Sequence, residues 1–168
     1  MSRLGRRHRI AGIAILGLGL IGLQFWPRDE TRITSLLQGL CAELNETRDV
    51  ATLAQLRQAL DSALLPNASV RVTELDLAAE GRAEVEQRAG QLLSNGVPLS
   101  FALSSIEVHV SGKLARADMD LLLMPRGSGE QRRDVRRTRV RLNESSGAWR
   151  IEAVDIDAVA ESEPEARP

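Results

Sequence analysis

The chain has 168 residues with a formal net charge of −1 at pH 7, and 43% of its residues are hydrophobic. Residues 1–9 contain four of the 22 basic residues and no acidic residue, so 18 basic residues remain against 23 acidic ones, a balance that argues against nucleic-acid binding. Two histidines and one cysteine, Cys41, exclude an internal disulfide and disfavour a zinc site. We expect neither a metal nor a cofactor.

Residues 10–26 are seventeen consecutive residues without a charge, flanked by charged residues on both sides. A helix of this length spans roughly 26 Å, close to a hydrocarbon core of about 30 Å. We therefore predict a single-pass transmembrane helix that begins at Ile10 and ends with Phe25 and the interfacial Trp26. The positive-inside rule makes residues 1–9 a basic cytoplasmic leader and places the rest of the chain outside a bacterial inner membrane, in the periplasm.

Three other interpretations of residues 10–26 are open. A cleaved signal peptide needs small residues before its cleavage site, and no A-x-A pattern precedes Pro27. Arg6 and Arg7 suggest twin-arginine export, but two further polar residues stand where an apolar stretch normally begins. A buried soluble helix would need enclosure on every side, which is difficult in a chain of this size. We favour an uncleaved anchor.

After the anchor, apolar residues recur at steps of three and four, which is typical of amphipathic helices. Three helices are predicted, with these bounds: Asp29 to Glu46, about Val50 to just before Pro66, and 79–94. Between the second and third helices, Val70 and Val72 alternate with polar residues. This alternation predicts a short first strand.

From Pro98 onward, apolar and polar residues alternate. The alternation predicts four long strands over 99–110, 117–123, 138–142 and 149–156, a series typical of an antiparallel meander. It slips by one residue between Leu103 and Ile106 and again near Ala153, as a β-bulge would cause. The domain is therefore predicted over residues 29–158, followed by an acidic, disordered tail over 159–168.

The last predicted hairpin, residues 141–156, has the sequence Arg-Leu-Asn-Glu-Ser-Ser-Gly-Ala-Trp-Arg-Ile-Glu-Ala-Val-Asp-Ile. Its turn at Gly147, its tryptophan at 149 and the hydrophobic run after it, together with the order of the elements, resemble the nuclear transport factor 2-like (SnoaL-like) cone-fold superfamily. The resemblance covers roughly residues 31–158. It implies an α+β domain with about three helices packed on a curved antiparallel sheet. The superfamily includes isomerases, dehydratases, polyketide cyclases and noncatalytic interaction modules, so the fold alone does not choose a function.

The alternation places apolar side chains inside the predicted cone. Six of them are the predicted lining of an apolar pocket: Phe101, Leu103, Val108, Met119, Leu121 and Trp149. An enzyme of this superfamily that transfers a proton needs an acid or a base inside, whereas the predicted inner positions are apolar and the chain has no tyrosine. The weak catalytic candidates are His109 with Glu107, and Asp118 with Asp120, and all four are predicted to face solvent.

Arginines are concentrated between residues 132 and 141. Four of them fall on one face of a predicted strand: Arg133, Arg137, Arg139 and Arg141. One interpretation is cross-strand pairing with acidic residues of the neighbouring strands, namely Asp118, Asp120, Glu152, Asp155 and Asp157. The other interpretation is an outer sheet face that binds an acidic partner, lipid headgroups or an anionic polymer.

Two functional hypotheses follow. The first is a membrane-anchored, extracytoplasmic binding or scaffold module with no catalytic site. It would contact the bilayer through residues 10–26 and a protein partner, or a second copy of the chain, through the sheet face. The second is a small-molecule isomerase, dehydratase or hydrolase-like enzyme of the resembled superfamily. A titratable group inside the cone distinguishes the two hypotheses, because only the second needs one.

Overall fold

The computed structural model describes residues 28–46, 50–95, 99–125 and 134–159. The predicted leader and membrane anchor, and the predicted tail from residue 160 onward, lie outside the described residues. None of the helices within the described ranges has both the length and the apolar character that a bilayer crossing requires.

Three helices and six strands follow one another along the chain. Their bounds are α1 Asp29–Glu46, α2 Val50–Ala63, β1 Leu64–Val72, β2 Leu77–Glu80, α3 Arg82–Asn95, β3 Leu99–Ser111, β4 Leu114–Pro125, β5 Asp134–Ser145 and β6 Ala148–Ala158. A single 3₁₀ turn over Thr73–Leu75 joins β1 to β2. The three predicted helices and the four long strands are confirmed, and α1 has the predicted bounds.

The prediction was wrong between α2 and α3. β1 starts at Leu64 rather than near Val70 and runs through Pro66, whose exposed side chain lies where the pairing with β6 is irregular. Residues 77–80 form a strand that pairs with β1, so α3 begins after it rather than at Ala79. Gly81 makes this change of direction possible: it has a φ of +83°, and its carbonyl accepts hydrogen bonds from the first turn of α3.

The six strands form one sheet in the order β2-β1-β6-β5-β4-β3. β3 to β6 are the predicted antiparallel meander, but β1 pairs with β6 in parallel, which corrects the expectation of a wholly antiparallel sheet. Both predicted bulges are present. One lies between Ser104 and Glu107, where Ser105 has a φ of +52°, and the other leaves Glu152 without a partner across from β5.

The helices cover one face of the sheet, and the space between them is filled with apolar side chains. The buried cluster contains Ile33, Leu37, Leu64, Ala68, Ala79, Val85, Ala115, Ala117, Met119, Val140, Leu142, Trp149 and Ile151. At one end of this layer, the indole Nε1 of Trp149 donates a hydrogen bond of 3.0 Å to Asp29 Oδ1. Arg32 donates to Asp29 Oδ1 over 3.1 Å and to the Gly147 carbonyl over 2.6 Å. The start of α1 is thereby fixed to the β5–β6 hairpin.

Ile33 tests whether α1 is part of this core. Its side chain is completely buried, so we expect Ile33→Ala to lower the free energy of unfolding by about 2 to 5 kcal/mol through lost burial and the cavity left behind. Leu75→Ala is the matched control, because Leu75 is 68% exposed and its removal should change stability by less than about 0.5 kcal/mol. Urea unfolding of the full chain in detergent measures both. Equal losses would contradict the packing of α1 described above.

Candidate functional site

The predicted pocket-lining residues lie on the inner side of the sheet, which carries the apolar cluster. Met119 and Trp149 are buried in the apolar cluster, and Leu103 and Val108 pack against it half-buried. Phe101 and Leu121 are also half-buried, and the side-chain amide of Asn45 hydrogen-bonds both the N–H and the carbonyl of Phe101 over 2.7 Å. In the described ranges, Thr138 is the one buried polar or charged side chain.

The four weak catalytic candidates lie on the outer face, away from the helices. Glu107 and His109 are exposed, and Asp118 and Asp120 are partly exposed. The strand register places Glu107 beside Asp118, whereas His109 lies beside Arg116. The structure therefore brings none of them to the inner face. Across the part of the chain that is described, no group of three or more His, Cys, Asp or Glu side chains is arranged to hold a metal ion.

Asp118 is the acidic centre of the outer face. Its two carboxylate oxygens accept hydrogen bonds from Arg116 over 2.6 and 2.8 Å, and one of them accepts a weaker bond of 3.4 Å from Arg139 on β5. The hydrogen bonds from Arg116, and then those from Arg139, hold the pKa of the Asp118 carboxyl below its usual range. The predicted cross-strand pairing is confirmed for Asp118 and Arg139.

The other predicted acidic partners do not pair in this way. Among the described residues, Asp120, Glu152, Asp155 and Asp157 have no arginine or lysine nitrogen within 4.0 Å. Asp157 instead accepts a 2.6 Å hydrogen bond from the Thr73 hydroxyl.

The predicted arginine face is present on β5, although Arg133 lies outside the described residues. Arg137, Arg139 and Arg141 are exposed on the outer face. Arg137 and Arg141 have no carboxylate within 4.0 Å in the described part of the chain. Arg136 precedes Arg137 and so lies on the other face of β5. It forms ion pairs with Glu74 and, over 2.7 Å, with Asp134.

A concavity of about 320 Å³ opens on this outer face, across β2, β1, β6 and β5. It is lined by Ser69, Val70, Arg71, Ala78, Ala79, Glu80, Arg139, Arg141 and Asp155. Its shape follows from the register. Small residues occupy the centre, with Ser69 beside Ala153, while Arg71, Asp155 and Arg139 stand side by side on three adjacent strands. We name this feature the outer-face concavity.

Sequence reasoning missed Arg71 and Glu80 as members of this site. Arg71 is exposed and, like Arg141, has no carboxylate within 4.0 Å among the described residues. Its place beside Asp155 depends on the parallel pairing of β1 with β6, which local patterning does not reveal. Glu80 was assigned to a helix. The glycine that follows it was the available signal that a strand ends there.

Comparisons with known proteins agree with this architecture. The model of the SnoaL-like domain family matches residues 36–156. No curated protein matches the chain. Among solved structures, a nuclear transport factor 2-like protein with a cystatin-like fold from Novosphingobium aromaticivorans superposes with a TM-score of 0.63 at 19% identity, covering 88% of this chain and 90% of that one.

Two further solved structures bear names that suggest enzymes. A proposed dehydratase of the nuclear transport factor 2-like family from Streptomyces avermitilis has a TM-score of 0.62 at 14% identity and covers 78% of this chain and 96% of its own. A proposed ketosteroid isomerase from Parabacteroides distasonis has a TM-score of 0.61 at 12% identity, with 82% and 92% covered. At such low identity these similarities establish the fold alone.

The Asp118 hydrogen bonds predict a pH-dependent contribution to stability. A carboxyl group whose pKa is lower in the folded than in the unfolded chain stabilises the fold above its unfolded pKa, about 3.9 for Asp, and loses that contribution as the pH falls through the folded value. Because the Asp118 side chain is 30% exposed, we expect Asp118→Asn to lower the free energy of unfolding at pH 7 by only about 0.2 to 1 kcal/mol. The difference from wild type should shrink below about pH 4.

Urea unfolding at pH 7 and pH 3 measures this difference. Asp120→Asn is the matched control, because Asp120 lies one step along the same strand face without an ion pair in the described ranges. If the Asp118→Asn deficit were the same at both pH values, the role assigned to the Arg116 hydrogen bonds would be wrong.

Proposed function

The chain belongs to the SnoaL-like domain family, and we propose that within this family it is a noncatalytic binding module, anchored in a bacterial inner membrane by residues 10–26 with its domain on the extracytoplasmic side. The binding surface in this proposal is the outer face of the sheet. The partner is a protein that presents acidic side chains, either a different chain or a second copy of this one.

One observation carries the proposal: the inner face of the sheet is lined by apolar side chains. Isomerases and dehydratases move a proton, and the acid or base that moves it must reach the substrate. In the described part of the chain, the buried inner layer is apolar except for Thr138, whose hydroxyl does not titrate near neutral pH. An interior of this composition supports packing rather than proton transfer. The enzyme hypothesis therefore receives no support from these inner residues, although the names of two structural neighbours suggest such activities.

The charged groups that remain available are on the outer face. Arg71, Arg137 and Arg141 project from this face without a carboxylate within 4.0 Å in the described part of the chain, whereas Arg116 and Arg139 both contact Asp118. A guanidinium without a carboxylate keeps its planar fork of donors free for an acidic side chain of a partner. The outer-face concavity, with two such guanidinium groups at its rim, supports recognition of an acidic segment.

The sequence supports the anchor. Residues 10–26 are uncharged and nearly as long as a bilayer core is thick, and the arginines of residues 1–9 favour a cytoplasmic amino terminus. Only Pro27 and Arg28 separate the predicted span from α1. The domain in this proposal is therefore held close to the membrane, where it meets partners that are themselves in or near the membrane.

A charge reversal at the rim of the concavity tests the proposal. The full-length protein is cross-linked to its partner in the membranes of its own host. We expect Arg141→Glu to reduce the amount of a specific cross-linked partner several-fold, because the substitution replaces attraction to acidic groups with repulsion. Arg57→Glu is the matched control: Arg57 is also exposed, has no ion pair among the described residues, and lies on α2 away from the sheet face. Quantitative mass spectrometry of the captured material measures the effect.

Two results would contradict the binding proposal. The first is a partner, or a second copy, captured equally by wild type and by both variants, which would place the interface elsewhere. The second is turnover of a small-molecule substrate by the purified protein, which would favour the enzyme hypothesis. Variants of Met119 at the inner face would then lose activity, whereas Arg141→Glu would not.

A further inference from the structure

The amino-terminal turn of α1 is rigidly attached to one end of the sheet. Asp29 accepts a hydrogen bond from Trp149, and Arg32 donates to the carbonyl of Gly147 in the β5–β6 turn. The carbonyl of Arg28 accepts hydrogen bonds from the first residues of the helix, so the helical turn is formed from its first described residue. The chain therefore enters the domain at the end of the sheet that carries the β5–β6 turn.

The β3–β4 turn lies at the same end. The backbone N–H of Glu144 donates a 2.8 Å hydrogen bond to the carbonyl of Lys113, which joins the two hairpins. In the register, Leu114 pairs with Asn143, and Asn143 pairs with Arg150. We name residues 28–29, 111–114 and 145–150 together the hairpin end.

The exposed groups of the hairpin end have the composition of a membrane-contacting surface. Leu114 is 56% exposed although it is fully apolar. Lys113, the sole lysine of the chain, precedes it, and Arg150 lies two strands away, beyond Asn143; neither cation has a carboxylate within 4.0 Å among the described residues. Arg150 is half-buried, and its Nε is buried without a hydrogen-bond partner there. An apolar side chain near two cationic ones matches a bilayer surface, which is apolar below a layer of phosphates.

The opposite end of the sheet also carries an exposed leucine. Leu75, 68% exposed, lies there between Glu74 and Asp76, next to the end of β1. The end of β1 is in register with Ile156, six residues along β6 from Arg150 of the hairpin end, or roughly 20 Å at about 3.3 Å per residue. Two exposed leucines thus mark the two ends: Leu114 follows Lys113, and Leu75 lies between Asp76 and Glu74, which pairs with Arg136.

The chain leaves little distance between the predicted span and the hairpin end. From Trp26 to Arg28 the Cα atoms are at most about 7 Å apart, since two extended residues reach no further. Because α1 begins at the end of the sheet that carries the β5–β6 turn, a connection this short favours the hairpin end, rather than the opposite end, as the side that meets the bilayer.

We propose that the hairpin end lies on the anionic headgroup surface of the bilayer in which residues 10–26 are anchored, with Leu114 inserted between headgroups and Lys113 and Arg150 facing lipid phosphates. This inference rests on the anchor of the proposed function and adds the orientation of the domain and the surface that contacts lipid. The outer-face concavity then opens sideways, parallel to the membrane plane.

Site-specific fluorescence tests this orientation, because Cys41 is the only cysteine and its replacement leaves a single label. Full-length protein with Cys41→Ala and either Leu114→Cys or Leu75→Cys is labelled with an environment-sensitive probe. It is then reconstituted into phosphatidylglycerol–phosphatidylcholine vesicles that contain a nitroxide-headgroup lipid. We expect quenching and a blue shift at position 114 and neither at position 75. Equal signals, or a stronger signal at 75, would overturn the proposed orientation. Urea midpoints equal to that of wild type establish that the labelled variants are folded.

A charge change tests the lipid contact itself. Adding Lys113→Glu to the labelled Leu114→Cys protein should reduce the quenching at position 114, and so should vesicles of phosphatidylcholine alone, because cationic side chains near an anionic surface each contribute attraction. Arg57→Glu in the same background is the control and should leave the quenching unchanged. Quenching that is insensitive to both changes would overturn the contact with anionic headgroups.

Flotation of the vesicles separates this inference from the proposed function. If the full-length protein floats with the vesicles and resists alkaline carbonate but position 114 is not quenched, the orientation alone is wrong. If the protein does not float, the anchor is wrong, and the orientation is overturned with it.

Discussion

The hydrogen bond from the Trp149 indole to the Asp29 carboxylate joins two elements that are 120 residues apart in the chain. Trp149 is buried in the apolar layer, and a buried indole N–H needs a hydrogen-bond acceptor. The Asp29 carboxylate supplies this acceptor, which fixes the position of the start of α1. Arg32 completes the arrangement because it contacts both Asp29 and the Gly147 carbonyl. From this junction α1 runs across the inner face of the sheet and buries Ile33 and Leu37 there. The packing of α1 into the apolar cluster therefore depends on how this helix enters the domain.

The parts of the fold that local signals determine were predictable. The period of apolar residues defined α1, and the slip between Leu103 and Ile106 could keep both apolar sets on one face only through a bulge. β2 was not predictable in this way, because Ala78, Ala79 and Glu80 prefer helices and form a strand only through pairing with β1. The parallel pairing of β1 with β6 also joins segments more than eighty residues apart, and no short window of sequence contains that contact.

The same distinction applies to the candidate site. Alternation along β5 was enough to place Arg137, Arg139 and Arg141 on one outer face. It could not show which carboxylates would pair with them: Asp118 forms an ion pair with Arg139, whereas Asp155, in register with the same arginine, forms no ion pair within the described ranges. Arg71 enters the site solely through the register of β1. A side-chain face is a local property of a strand, but the composition of a concavity is a property of several strands, and single-sequence reasoning reaches only the first.

A sheet whose inner face is packed leaves its outer face and its ends for interactions. The outer face is of mixed charge, with Asp118 and Asp155 among the arginines, and in free solution such a surface attracts many partners weakly and discriminates poorly among them. In the proposed anchored state this limitation is reduced, because a tether raises the effective concentration of partners in the same membrane. The tether also excludes partners whose binding groups do not match the distance of the outer face from the membrane and its orientation. The rigid junction of Asp29, Arg32 and Trp149 would then contribute to selectivity without touching a partner. In the proposed orientation, this junction would determine which strands lie near the lipid and which remain accessible to a neighbouring protein.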